Sequence, residues 1–121
     1  MASYPAKYLQ VFRHDIQSIL AWSEDHFGAA AADRYAGLIR QAIHDVLENP
    51  VGPGANPRPD LAPNAYVYHL RFSRDRISEQ DRVKVPRHFV LYRYAGERVE
   101  FARLLHDSRD LQRHLPNDYH V

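Results

Sequence analysis

The chain contains no cysteine, which excludes disulfides, thiolate zinc sites and cysteine nucleophiles together. No apolar run approaches the ~18 residues of a membrane span, and the N-terminus has no apolar core like that of a signal peptide. A cytoplasmic protein without membrane attachment is therefore expected. Glycine is scarce, five in 121 residues. Gly52-Pro53-Gly54 has neither the Lys nor the strand–helix context of a phosphate loop. The eight His show no HxH, HExxH or comparable clustering, so no metal and no cofactor is expected. Helix-turn-helix, zinc-finger and ribbon signatures are missing too, which argues against direct sequence-specific DNA binding.

What is present is an ordinary globular composition. Hydrophobic residues make up 45% and charged ones 26%, too apolar for a disordered chain. The length suits a single domain, 1–121, with one packed core. Net charge is only +1, but it is unevenly spread. Residues 61–121 carry eleven Lys and Arg against eight Asp and Glu, whereas residues 1–60 carry five against seven. Five of the eight His also lie in the second half. The basic end is a mild pointer to an anionic partner.

Hydrophobic spacing predicts a first helix from Pro5 to Phe27, with Leu9, Phe12, Ile16, Ile19, Leu20 and Phe27 on one stripe. Ser3 is the expected N-cap and Gly28 the stop. Tyr8, Val11 and Trp22 flank that stripe and widen the apolar face. A second helix is expected from Ala30 to Glu48, ended by Asn49-Pro50, and one Gly between the two implies an antiparallel hairpin. Pro50 to Pro63 reads as a surface loop. Alternation predicts a strand at Ala65–Phe72, a polar connection at Ser73–Pro86, and strands at Arg87–Tyr94 and Arg98–His106. Ser108 can cap a short last helix ending near Leu115-Pro116. The order gives an α+β fold: a helical hairpin on one face of a small antiparallel sheet of three to four strands, the other face open.

The last third places basic groups on strands, where burial without partners is costly. His69, Arg71, His88, Arg93, Arg103 and His106 all fall on or at the ends of these strands. A cleft combining His and Arg is able to cleave RNA, His moving the proton and Arg stabilising the phosphorane. The competing reading is internal ion pairing. Strict alternation places Arg103 with Val99, Phe101 and Leu105, and His106 with Glu100, Ala102 and Leu104, on opposite faces.

Several strings in order resemble the RelE/ParE superfamily of bacterial type II toxin–antitoxin proteins, the ParE branch most closely. They are Asp15-Ile16-x-x-Ile19 with His26-Phe27-Gly28, Ala32-x-Arg34-Tyr35 leading to Leu47-Glu48-Asn49-Pro50, and Tyr68-His69-Leu70. His88-Phe89-Val90-Leu91-Tyr92-Arg93 and Arg103-Leu104-Leu105-His106-x-x-x-Asp110-Leu111-x-x-His114-Leu115 complete the set. The resemblance spans roughly Leu9 to Leu115. Two features depart from the family pattern: only Ala2–Tyr4 is left to supply the usual opening strand, and the Ser73–Pro86 connection is long.

The resemblance implies a toxin, of the kind associated with plasmid stabilization, that a cognate antitoxin neutralises with an amphipathic C-terminal segment. Tyr8, Val11 and Trp22 are the candidate antitoxin contacts. ParE-like toxins inhibit DNA gyrase by binding and are not enzymes; candidate target contacts are Arg93, Arg103 and Arg109. The alternatives are a RelE-like, ribosome-dependent mRNA endonuclease using the His and Arg set above, and a decayed, non-toxic binding or co-repressor module. Asp107 and Asp110 after the last strand, and the low net charge, fit ribosomal RNA poorly.

Overall fold

The computed structural model describes residues 3–116. Its first element is a strand, β1 (Ala6–Tyr8), followed by helices α1 (Gln10–Phe27) and α2 (Ala29–Glu48). A two-residue strand β2 (Asn56–Pro57), then β3 (Ala65–His69), β4 (His88–Ala95) and β5 (Arg98–His106), complete the sheet. Strand order is β1-β5-β4-β3-β2. β1 runs parallel to β5, and every other pair is antiparallel. The α+β architecture matches expectation, with five strands in place of three or four. Among the described residues, no helix is long and apolar enough to cross a membrane.

The opening strand corrects the sequence reading at two points. It lies at Ala6–Tyr8, beyond Ala2–Tyr4, and α1 starts at Gln10 with Leu9 in extended conformation and no side-chain cap, so Ser3 is not the N-cap. The ladder explains the late start. Val99 N–H donates to Pro5 C=O, and Leu9 N–H donates to Phe101 C=O, both at 3.0 Å, so the chain is held in the sheet until Leu9. Tyr8 therefore belongs to a strand and not to a helix flank. Its ring stacks on Phe101 at 5.2 Å and on Phe12 at 6.2 Å.

One residue separates the two helices. Gly28 N–H donates to Glu24 C=O, ending α1, and Gly28 C=O accepts from Ala32 N–H, starting α2. Its φ of 90° lies in the left-handed region, where a side chain is strained. Both helices face the sheet with periodic apolar residues, and Phe12, Leu38, Ile39, Val46, Tyr92 and Phe101 form the main core. The buried Tyr92 hydroxyl donates to Pro50 C=O at 2.6 Å, tying the sheet centre to the chain leaving α2.

The other face is not open as expected. Leu91, Ala102 and Leu105 form a second cluster there with Leu61, Ala62 and Leu111, so the proline-rich loop and the chain after β5 cover it. The expected C-terminal helix is a single 3-10 turn, Leu111–Arg113. The first expected strand, Ala65–Phe72, likewise ends early: Leu70–Phe72 turns into 3-10 geometry, and two more such turns, Arg74–Arg76 and Glu79–Asp81, shape the long connection to β4.

A bulge alters the alternation along β5. Leu91 pairs with Arg103 but Tyr92 pairs with Phe101, leaving Ala102 as the extra residue. Val99, Phe101 and Leu104 consequently all reach the helix-side core, while Ala102 and Leu105 reach the second cluster. Arg103 and His106 remain on opposite faces, but with changed companions: His106 shares its side with Leu104, Phe101 and Val99, and Arg103 with Leu105 and Ala102.

Candidate functional site

The ends of β3, β4 and β5 bring three of the expected basic residues together. His88 and His106 are cross-strand partners, with ring centroids 5.3 Å apart and planes at 82°. His69 Nε2 lies 3.1 Å from Asp107 Oδ2, and His106 Nδ1 lies 2.8 Å from Ser108 Oγ and 3.5 Å from Asp107 Oδ1. Asp107 thus sits between two imidazoles. Burial works to raise its carboxyl, but the His69 hydrogen bond and the Arg87 and His106 charges prevail and hold it below the ordinary range.

Tyr35, from α2, closes this cluster. Arg87 N–H donates to the phenol oxygen at 3.1 Å, so the single phenol proton is free to donate to His88 Nδ1, 2.6 Å away. That arrangement requires a neutral imidazole. Burial, assisted by neighbouring His106, pushes His88 down to about 4, against the opposing pull of Asp107. Burial likewise pushes the Tyr35 phenol up to about 12. His88 is an uncharged hydrogen-bond acceptor at neutral pH.

The expected arginines are each held by other partners. Arg103 grips Asp15 of α1 through Nε at 2.8 Å and Nη2 at 3.0 Å, and a third N–H reaches His114 C=O at 2.8 Å. Asp15 also accepts from Leu104 N–H. Arg93 pairs with Glu100 at 2.6 and 3.0 Å on the face away from the helices. Arg71 lies over the Phe72 ring, 4.6 Å from its centroid. Arg109 is exposed and lines a 220 Å³ cavity together with Arg103, His88, His106 and His114. Of the six expected nuclease residues, the three His gather and Arg103 lines the small cavity with His88 and His106, whereas Arg71 and Arg93 lie apart from them.

The three residues expected to meet an antitoxin do not form one patch. Tyr8 is in the aromatic stack, Val11 is half-buried, and Trp22 is 55% exposed near the far end of α1. Trp22 instead shares a cavity of about 1050 Å³ with Tyr35, His88 and His106, walled on another side by the 73–86 connection. Tyr35, Asp107, Arg87 and Asp15 were not singled out as site residues from sequence. Asp107 alone offered a local signal, an acid directly following the last His-bearing strand. Among the described residues, no group of three or more His, Asp or Glu is placed to hold a metal ion.

The fold is thus a small sheet backed by a two-helix hairpin, with its last strand running into a tail tethered by Arg103. A solved chain titled "Chromosomal ParDE TA system from P. aeruginosa" has this fold, with TM-score 0.53 and 14% identity over 86% of this chain and 96% of that one. No curated protein matches the sequence. The family model described as "ParE toxin of type II toxin-antitoxin system, parDE" matches residues 6–111. The chain belongs to this ParE toxin family.

Proposed function

We propose that this toxin acts in the cytoplasm by binding DNA gyrase and blocking it, without catalysis of its own, and that a cognate antitoxin neutralises it. The observation that carries the first part is the internal engagement of the basic groups. A general acid or base must present a titratable nitrogen to substrate, yet His88 is neutral with Nδ1 held by Tyr35, and His69 is held by Asp107. Arg103, the candidate phosphorane stabiliser, is held by both carboxylate oxygens of Asp15. Arg109 is the target-contact candidate that remains solvent-exposed.

The antitoxin part draws on the ParDE system to which the structural neighbour belongs and on Trp22, whose large exposed ring suits the apolar side of an amphipathic segment. The mRNA-endonuclease reading keeps two supporting observations, the adjacency of His88 and His106 in the large cavity and Arg103 beside both of them in the smaller one. The test is brief expression without antitoxin, followed by assays of the purified chain for gyrase supercoiling and for ribosome-dependent mRNA cleavage. Lost supercoiling with intact mRNA is expected. Normal supercoiling with cut mRNA refutes the proposal, and neither effect with normal growth favours a decayed module.

A further inference from the structure

The cavity beside the histidine cluster has a one-sided charge that gyrase binding does not require. Arg34, Arg74, Arg82, Lys84 and Arg87 line it against a single acid, Glu79. Two of these cations are used internally. Arg74 donates to the carbonyls of Val83 and Lys84, and Arg82 donates to that of Ile77, which fixes the shape of the long connection. The others are not: among the described residues Arg34 and the Lys84 ammonium have no acidic partner, and Arg87 meets Asp107 only at 3.9 Å. Cations that converge on a concave surface raise the local concentration of anions.

The same cavity holds a fixed aromatic platform. The Trp22 indole stacks on His26 with centroids 4.2 Å apart and planes at 22°, and His26 Nδ1 lies 2.8 Å from Trp22 C=O. The indole is thereby oriented while more than half of it stays open to solvent. The cavity volume, about 1050 Å³, matches the top of the ~300–1000 Å³ range of small-ligand sites.

We infer that this cavity binds a nucleotide, its base stacked on Trp22 and its phosphates met by Arg34, Lys84 and Arg87. A planar ring satisfies the indole, and a polyphosphate satisfies cations that the chain leaves without acids. The same indole is the proposed antitoxin contact, so a nucleotide and the antitoxin segment are expected to compete for it, whereas a purely acidic peptide meets only the cations. The inference stands apart from the gyrase reading, and either holds without the other.

Trp22 is the only tryptophan, so its fluorescence reports the site directly. Titrating the full chain with ATP is expected to quench that emission saturably, with calorimetry giving the same affinity. Inorganic tripolyphosphate is expected to compete more weakly and without comparable quenching. Replacing the exposed Arg34 and Lys84 together by Ala should weaken ATP binding about tenfold or more, the loss expected for a charged hydrogen bond, with thermal unfolding unchanged. No saturable ATP binding by calorimetry overturns the inference. Tripolyphosphate binding as tightly as ATP, ATP binding without a change in Trp22 emission, or polyglutamate binding in preference to ATP each overturns it as well.

Discussion

Asp15→Ala is the sharpest test of how the last strand is held. The substitution removes both guanidinium contacts of Arg103 and the acceptor for Leu104 N–H. The two side chains are only 18% and 11% exposed, so solvent screening is modest. Breaking a buried ion pair from one side costs roughly 3–5 kcal/mol, and a hydrogen bond to a charged group contributes about 1.5–3 kcal/mol. Partial exposure of Arg103 places the expected loss at the lower end, about 3 kcal/mol. For a chain of this size the unfolding midpoint should fall by on the order of 10 °C. In urea the midpoint concentration should drop with the slope unchanged. Asp15→Asn keeps an oxygen acceptor for Leu104 and should lose less. Arg103 also holds His114 C=O, so trypsin should cut the Asp15→Ala tail at Arg109 or Arg113 sooner than in the native chain. The double variant with Arg103→Ala should fall short of additivity by about 1–2 kcal/mol. An Asp15→Ala loss within about 0.5 kcal/mol, the usual range for an unimportant surface site, refutes the reasoning, as does strict additivity.

His88 gives a pH prediction: its folded value near 4 lies below the ordinary 6.5, so the unfolded chain binds the proton more readily. Stability is then fully present above about pH 6.5 and lost as pH falls toward 4, with a slope from this group of at most ~1.4 kcal/mol per unit; a His88→Gln variant should flatten that slope in acid-unfolding titrations. Trp22→Glu is expected to leave urea unfolding within about 0.5 kcal/mol of native while weakening antitoxin binding, whereas Tyr8→Ala should cost about 2–4 kcal/mol by opening the stack on Phe101; similar stability losses in both variants would place Trp22 in the core. Gly54→Ala should destabilise far more than Gly28→Ala in thermal melts. Both have φ near 90°, but a Cβ at Gly54 meets Phe72 and Tyr68 at 2.9 Å while one at Gly28 meets nothing within 4 Å.

The helices were legible because their information is local. Leu38, Ile39, Ala42 and Val46 repeat at helical spacing and are buried, and Gly28 marks the break without reference to the rest of the chain. β1 was not legible, because three residues are too few to show alternation and its pairing is with Val99, Glu100 and Phe101 at the opposite end of the sequence. Tyr8 falls by accident beside the helical stripe, which makes it look like a flank of the first helix. The Ala102 bulge leaves no mark in an apolar run, so the companions of Arg103 and His106 were misassigned even though their separation held. At the site, the gathering of His69, His88 and His106 followed from strand order. Their neutralising partners did not: Tyr35 is 53 residues from His88, and Asp15 is 88 from Arg103. Pairings between distant acids and bases have no periodic signature.

The parallel pairing of β1 with β5 has a consequence in time. Residue 6 finds its partner at residue 99, so a chain emerging from the ribosome can form the helical hairpin early but cannot seat β1 until β5 has been made. Such distant closure is slow relative to local structure. The Tyr8 ring waits for Phe101, and Asp15 waits for Arg103. A truncated product ending before β5 would carry both helices and neither lock. The assembled toxin surface is therefore withheld until β5 has been translated.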